Sequence, residues 1–327
     1  MFDRNVLNID LEREAEEICT LLRATVLNRL RYRGMVVAIS GGIDSSVTCA
    51  LAVRALGKER VFALLMPEHQ SSPASTRLGL ILARDLGIDH VVEDIGPALE
   101  AVGCYRRYAE AAARVVPGYG PGWKSKVVLP DDLLDSDRLN VTRLVVRGPD
   151  GVESTVRLPG DVYLELVAAT NFKQRIRTNF EYHHADRLRY AVAGTPNRLE
   201  YDQGFFVKNG DSAADVKPIA HLYKTQVYAM ARHLGLCDEL CSVEPTTDTY
   251  SLPQTQTEFY FVLPHQQMDL LLWARNHEVP SAEAAAVLGL TPVQVERVYL
   301  DIDRKRAATA RLHLPPQLVK PVKEICG

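Results

Sequence analysis

Residues 35–51 read Met35-Val36-Val37-Ala38-Ile39-Ser40-Gly41-Gly42-Ile43-Asp44-Ser45-Ser46-Val47-Thr48-Cys49-Ala50-Leu51. The run Met35–Ile39 is apolar, rich in β-branched residues and short, which predicts a buried parallel strand. The residues from Val47 onward predict a helix that stops at Gly57. Ser40 to Ser46 is therefore a turn from strand to helix. Two glycines let the backbone turn tightly and approach a ligand. The free N–H groups of the first helical turn and the nearby hydroxyls predict a nest for an anion, with pyrophosphate the natural guest. A Walker loop, G-x-x-x-x-G-K-[ST], is absent. The bland alternative is a capped glycine turn with no ligand.

Outward from this elbow the pattern repeats. Upstream, residues 11–33 predict an amphipathic helix, with Leu11, Ala15, Ile18, Leu22 and Val26 on one face and Asp10 as its N-cap. Downstream, Val61–Met66 predicts a second buried strand, followed by a polar loop from Pro67 to Pro73 that includes Glu68. A helix over 75–86 ends at Gly87, and His90–Ile95 is a third strand. Such alternation predicts an α/β fold: a doubly wound, mainly parallel sheet with helices on both faces. Ligands bind beyond the carboxyl ends of strands in these sheets. The elbow and the loop at Glu68 both lie there.

Residues 103–160 break the rhythm. A loop rich in Pro and Gly (117–122) precedes the runs Val141–Val146 and Val152–Leu158, which flank Gly148-Pro149-Asp150-Gly151 and predict a hairpin. The pattern then resumes: a helix over 161–186, a buried strand at Arg189–Ala193, a Gly-Thr turn and a helix over Leu222–Leu234. Helices follow a loop-rich stretch after Pro245. Residues 281–300 superficially resemble a helix-turn-helix, but without a basic face a packed helical hairpin is expected. The expected organisation is 1–102 and 161–262 as two halves of one nucleotide domain, 103–160 as an insert, and 263–327 as a helical C-terminal region.

The 327 residues are 46% hydrophobic, enough for a sizeable core, and carry a formal charge of −3, which leaves no basic footprint for nucleic acid. The N-terminal residues have no secretory pattern, and no apolar run approaches a membrane span. The six cysteines are scattered; Cys237 and Cys241 are the closest pair. Reduced thiols in a cytoplasmic protein are expected.

Ser40-Gly41-Gly42-Ile43-Asp44-Ser45-Ser46 resembles the SGGxDS signature of the ATP pyrophosphatases, which cleave ATP between the α and β phosphates and adenylate an acceptor. A second constellation is Gly194-Thr195-x-Asn197-x-x-Glu200, then Gly204, Lys208, Gly210-Asp211, Asp215, Pro218 and Leu222-x-Lys224-Thr225-x-Val227. It resembles the core of the ammonia-dependent NAD+ synthetases. Arg175-x-Arg177, Pro245-Thr246-Thr247-Asp248, Gln256-Thr257 and Lys305-Arg306 resemble further motifs of that family. The resemblance covers most of the chain outside roughly 103–160.

The resemblance implies adenylation of the nicotinate carboxylate of nicotinic acid adenine dinucleotide by ATP, then attack by ammonia to give NAD+, AMP and pyrophosphate. It implies ATP as co-substrate and Mg2+ as cofactor, with Asp44 and Glu200 as metal ligands. It places ATP and its pyrophosphate at Ser40, Gly41, Gly42, Ile43, Asp44, Ser45, Ser46, Arg177, Thr195, Lys224 and Thr225. The acceptor falls to Arg175, Lys208 and Asp211, and Asp44, Lys208 and Asp211 are the catalytic candidates. Each has an ordinary alternative: a helix cap for Asp44, a turn hydroxyl for Thr195, an Asx cap for Asp211 and solvated charges for the lysines and arginines.

The family also implies a homodimer with the dinucleotide at a two-fold interface. Residues 1–39 alone precede the elbow, too few for the amidase domain of glutamine-dependent relatives, so free ammonia or a separate donor is expected. Three features depart from the family pattern. Glu258-Phe259 stands where Asp-Glu is usual, Pro196 where a second Gly is common, and Val207 where a Thr is common. These departures lie on the acceptor side and the mobile loops. A divergent amide ligase acting on another carboxylate, or a nucleotide-binding regulatory module, therefore stays open.

Overall fold

The structure is a computed structural model that describes residues 2–128, 142–244, 246, 249–261 and 263–322. Val141, Pro245, Thr247, Asp248 and Cys326 lie outside the described residues. The first helix, α1 (Leu11–Arg23), is capped by Asp10, whose side chain accepts from Arg13 N at 3.1 Å. The helix expected through residue 33 instead loosens into a π-helical turn over Ala24–Arg29, and Arg31 takes a positive φ of 57°. That break redirects the chain into β1 (Met35–Ala38). Then come α2 (Ile43–Leu56), β2 (Val61–Leu65), α3 (Pro73–Leu86) and β3 (Asp89–Val92). Gly57 ends α2 and a left-handed Gly87 ends α3, as expected of glycine C-caps.

After α4 (Gly96–Ala101) and α5 (Cys104–Ala113) the chain forms β4 (Lys124–Val128), β5 (Arg143–Arg147) and β6 (Glu153–Arg157). The hairpin of β5 and β6 is as expected, with Val145 opposite Thr155. The third strand, β4, was hidden by its lysines and by the Pro/Gly loop before it. It pairs antiparallel with β5.

The long α6 (Gly160–Leu188) leads to β7 (Ala191–Ala193), α7 (Arg198–Gln203), α8 (Lys224–His233) and α9 (Asp238–Cys241). The remaining helices are α10 (Gln256–Phe259), α11 (His265–Asn276), α12 (Ser281–Leu288) and α13 (Pro292–Thr309). The last two pack as the expected hairpin.

The main sheet is wholly parallel in the order β3-β2-β1-β7. Alternate strand residues serve opposite faces. Met35, Val37 and Ala63 meet α1, α2 and α8 on one face. Val36, Leu64 and Val192 meet α4 and α6 on the other. This is the doubly wound α/β layering. A second core joins β4–β6 to α5 and the start of α6 through Val127, Leu144, Val146 and Leu166. A third holds α11–α13 together. The five described cysteines are free thiols. No helix among the described residues is long and apolar enough to cross a membrane.

Candidate functional site

The elbow sits where β1 ends. Gly41 has φ +76°, and a Cβ there would lie 2.3 Å from the carbonyl oxygen of Ser75, so no other residue fits without moving α3. Gly42 occupies the N-cap of α2 and offers no side-chain cap to the helix's first N–H groups. Those groups therefore remain available to an anion. The hydroxyls of Ser45 and Ser46 donate to Gly42 O at 3.0 and 2.8 Å. Their protons brace the turn and are not available to a ligand. Ile43 is 2% exposed and packs in the core, so it offers the site only its backbone. Ser40, exposed, holds Gly42 N at 3.3 Å.

Asp44, in the first turn of α2, faces residues far along the chain. Its Oδ2 accepts from Lys224 Nζ, and its Oδ1 accepts from Asn197 Nδ2 at 3.0 Å. Asn197 caps α7, accepting from Leu199 N and Glu200 N, while its own N–H donates to Glu200 Oε2 at 3.2 Å. This capping box orients both Asn197 and Glu200. Glu200 Oε1 accepts from Gln256 Nε2 at 2.8 Å.

Burial, then the charge of Asp44, push the Glu200 carboxyl up to about 7, against the pull of Lys224, Gln256 and the Asn197 N–H. Lys224 is 2% exposed. Burial lowers its ammonium's pKa, but Asp44 and Glu200 outweigh that and hold it above its ordinary value. A buried cation thus faces two carboxylates beside an anion nest. Thr195 lies half-buried in the turn after β7. Thr225 turns away: its N–H and hydroxyl both donate to Asp269 Oδ2, at 2.7 and 2.6 Å, which ties α8 to α11.

A second group lies along α6. Glu181 is buried, and burial and the charge of Asp211 raise its carboxyl to about 8, with Arg177 opposing. Burial likewise raises Asp211 to about 6, against the Val207 N–H, which donates to it at 2.6 Å, and Arg177. The charge of Arg177 acts on both carboxyls. Lys208 Nζ is spent on the carbonyls of Arg311 and Leu314, at 3.0 and 3.3 Å, and Arg175 Nε donates to Lys208 O at 3.4 Å. Lys208 thus joins the C-terminal segment, Arg175 holds the backbone of Lys208, and neither bonds the Asp44 cluster.

Because the folded state holds the Glu181 proton above its ordinary 4.5, native Glu181 binds more protons than the unfolded chain between pH 4.5 and about 8. Stability from this group is lost as pH rises across that window. Glu181→Gln is expected to gain stability over the parent protein towards the alkaline end, on the order of 3 kcal/mol. Urea unfolding of both ligand-free proteins at each end of the window checks this, and parallel pH slopes would refute it.

Two neighbours of the site carry no signal in the sequence. Lys173 Nζ, buried, donates to Glu68 Oε1 (2.8 Å), Gln70 Oε1 (2.7 Å) and Thr249 O (2.7 Å). His265, the first residue of α11, stacks on Tyr228 at 5.2 Å; burial and Lys224 lower it to about 4. Spacing announces neither, because their partners are distant in sequence.

A parallel sheet with a glycine elbow at its carboxyl edge, beside a buried lysine paired with Asp44, defines a doubly wound α/β protein with a polar site at the carboxyl ends of its strands. The NAD synthase family model matches residues 14–118 and 152–307. The chain belongs to the NAD synthase family.

A relative described as NH(3)-dependent NAD(+) synthetase, from Rhizobium meliloti (strain 1021), is 56% identical over 325 residues, spanning 99% of this chain and 97% of that one. Another so described, from Thermotoga maritima, is 33% identical and spans 83% of this chain and 88% of its own. The solved NH3-dependent NAD synthetase from Campylobacter jejuni superposes with a TM-score of 0.62 at 22% identity, covering 95% of this chain and 100% of that one. An NMN synthetase from Francisella tularensis superposes at 0.63 with 21% identity, covering 95% and 100%. At such identities the superpositions speak for the fold alone.

Proposed function

We infer that this chain is an ammonia-dependent NAD+ synthetase, an ATP-dependent C–N ligase. The observation that carries the site assignment is the buried pair of Lys224 and Asp44 at the mouth of the elbow, joined to Glu200 through Asn197. A carboxylate is a poor electrophile. Its oxygen attacks the α-phosphorus of ATP, the bond to the β-phosphate oxygen breaks, and pyrophosphate departs from an acyl adenylate. Ammonia then forms the C–N bond at the acyl carbon, loses a proton and expels AMP.

In this reading the open N–H groups of α2 and Ser40 hold the departing pyrophosphate, and Lys224 neutralises charge growing on it. The acidic pair Glu181–Asp211 with Arg177 lies on the acceptor side. Among the described residues no cluster of three or more His, Cys, Asp or Glu is arranged to hold a metal. Two hard carboxylates do fit Mg2+, which commonly completes its shell with phosphate oxygens and water. Asp44 and Glu200 would hold that ion, which supplies charge neutralisation at the phosphates. A homodimer in the cytoplasm belongs to the same reading, and sedimentation equilibrium measures the former.

The purified chain with ATP, Mg2+, ammonium and nicotinic acid adenine dinucleotide is expected to yield NAD+ and AMP in equal amounts. The corresponding acid mononucleotide serves as the competing acceptor. Pyrophosphate release with another carboxylate and no NAD+ would overturn the assignment. ATP binding without turnover on any acceptor would favour a regulatory module.

A further inference from the structure

The insert strand β4 and the segment 249–259 form a continuous seam. Ser125 N donates to Ser251 Oγ at 2.8 Å, Leu252 N donates to Ser125 O at 3.2 Å, and Gln254 Nε2 donates to Val127 O. Lys126 Nζ meets Glu258 Oε1 at 2.9 Å. Tyr250 and Phe259 pack into the core of β4–β6, with ring centroids 5.5 Å apart. Glu258 also closes the capping box of α10, where its Oε2 accepts from Thr255 N at 3.0 Å. That helix begins with Gln256, whose amide donates to Glu200. A short chain of contacts therefore runs from the insert to the nucleotide-site carboxylate.

The seam coincides with a departure from the family pattern. The family model leaves 119–151 unmatched, and that stretch contains all of β4 and β5. After Gln256-Thr257 stand Glu258, which pairs with the insert, and Phe259, which packs against it. Ordering a loop costs roughly 1–2 kcal/mol of backbone entropy per residue, and a frame that orders it in advance removes that cost from substrate binding.

We propose that the three-stranded insert is a positioning frame for residues 249–259, with Lys126 and Glu258 the positioning pair that sets Gln256 against Glu200. The proposal rests on Glu200 belonging to the nucleotide site. Lys126→Glu places like charges across the seam. It is expected to speed amide hydrogen exchange in 249–259 and to raise KM for ATP about five-fold or more, with kcat changed less. Adding Glu258→Gln keeps a carbonyl to cap Thr255 and supplies an amide donor to the new carboxylate, so both effects are expected to recede.

Unchanged exchange and KM in the single variant would overturn the proposal. So would exchange that rises equally throughout the chain, or effects that persist in the double variant. If the parent protein makes no NAD+, the assigned function falls, while exchange in 249–259 still decides the frame.

Discussion

Asp44→Ala is expected to lower ATP-dependent pyrophosphate release by about 10²–10³-fold, on the scale of losing a principal electrostatic stabiliser. In the structure this carboxylate is the point where the elbow, α7 and α8 meet: it accepts from Asn197 and from Lys224. Its removal strips one side of the proposed Mg2+ site and leaves Lys224 answered by Glu200 alone. Part of that loss comes from the disturbed lysine, so Asp44→Asn is the companion, since it keeps the shape and one of the two acceptor oxygens while removing the charge. Both variants are expected to fail in the first half-reaction, measured as pyrophosphate release with acceptor present. Release at the parent rate from a folded Asp44→Ala protein would refute the assigned role.

Lys173→Met is expected to destabilise the protein by about 3–5 kcal/mol, the usual result of leaving a buried charge without its partner. Lys173 is 2% exposed and the Glu68 side chain is fully buried. The carboxylate also accepts from Tyr105 OH at 2.7 Å and Gln70 N at 2.9 Å. Burial pushes the Glu68 carboxyl up, but Lys173 and these donors hold it below its ordinary 4.5. The pair's contribution is therefore present above pH 4.5 and is lost as pH falls through the lowered value.

The double variant Lys173→Met, Glu68→Gln is expected to recover much of the loss, because no uncompensated charge remains. Denaturant midpoints with unchanged slopes measure both. A single variant as stable as the parent protein would show that the buried pair carries no such energy.

Much of the fold was legible in the sequence because its signals are local. A β-branched run before two glycines, Gly57 and Gly87 at helix ends, and Asp10 as a cap each act within a few residues. Their readings survive folding nearly unchanged. The first helix is shorter than its pattern implies because periodicity cannot register the positive φ at Arg31 that sends the chain into β1. The strand β4 is invisible in the sequence because only packing reveals that Ser125 is buried, where its hydroxyl meets Tyr108 and Tyr119 at 2.8 and 2.7 Å.

At the site the division is sharper. Sequence order by itself determined the elbow, the expectation of an anion there, and the resemblance that puts Asp44, Glu200 and Lys224 in one reaction. Only the tertiary structure decided which groups meet. Lys224 closes on Asp44 across 180 positions, Thr225 turns to Asp269, and Lys208 is taken up by two C-terminal carbonyls. Turns and caps are governed by neighbours along the chain. A buried charge takes whichever partner packing brings within hydrogen-bond reach, and no local spacing encodes that choice.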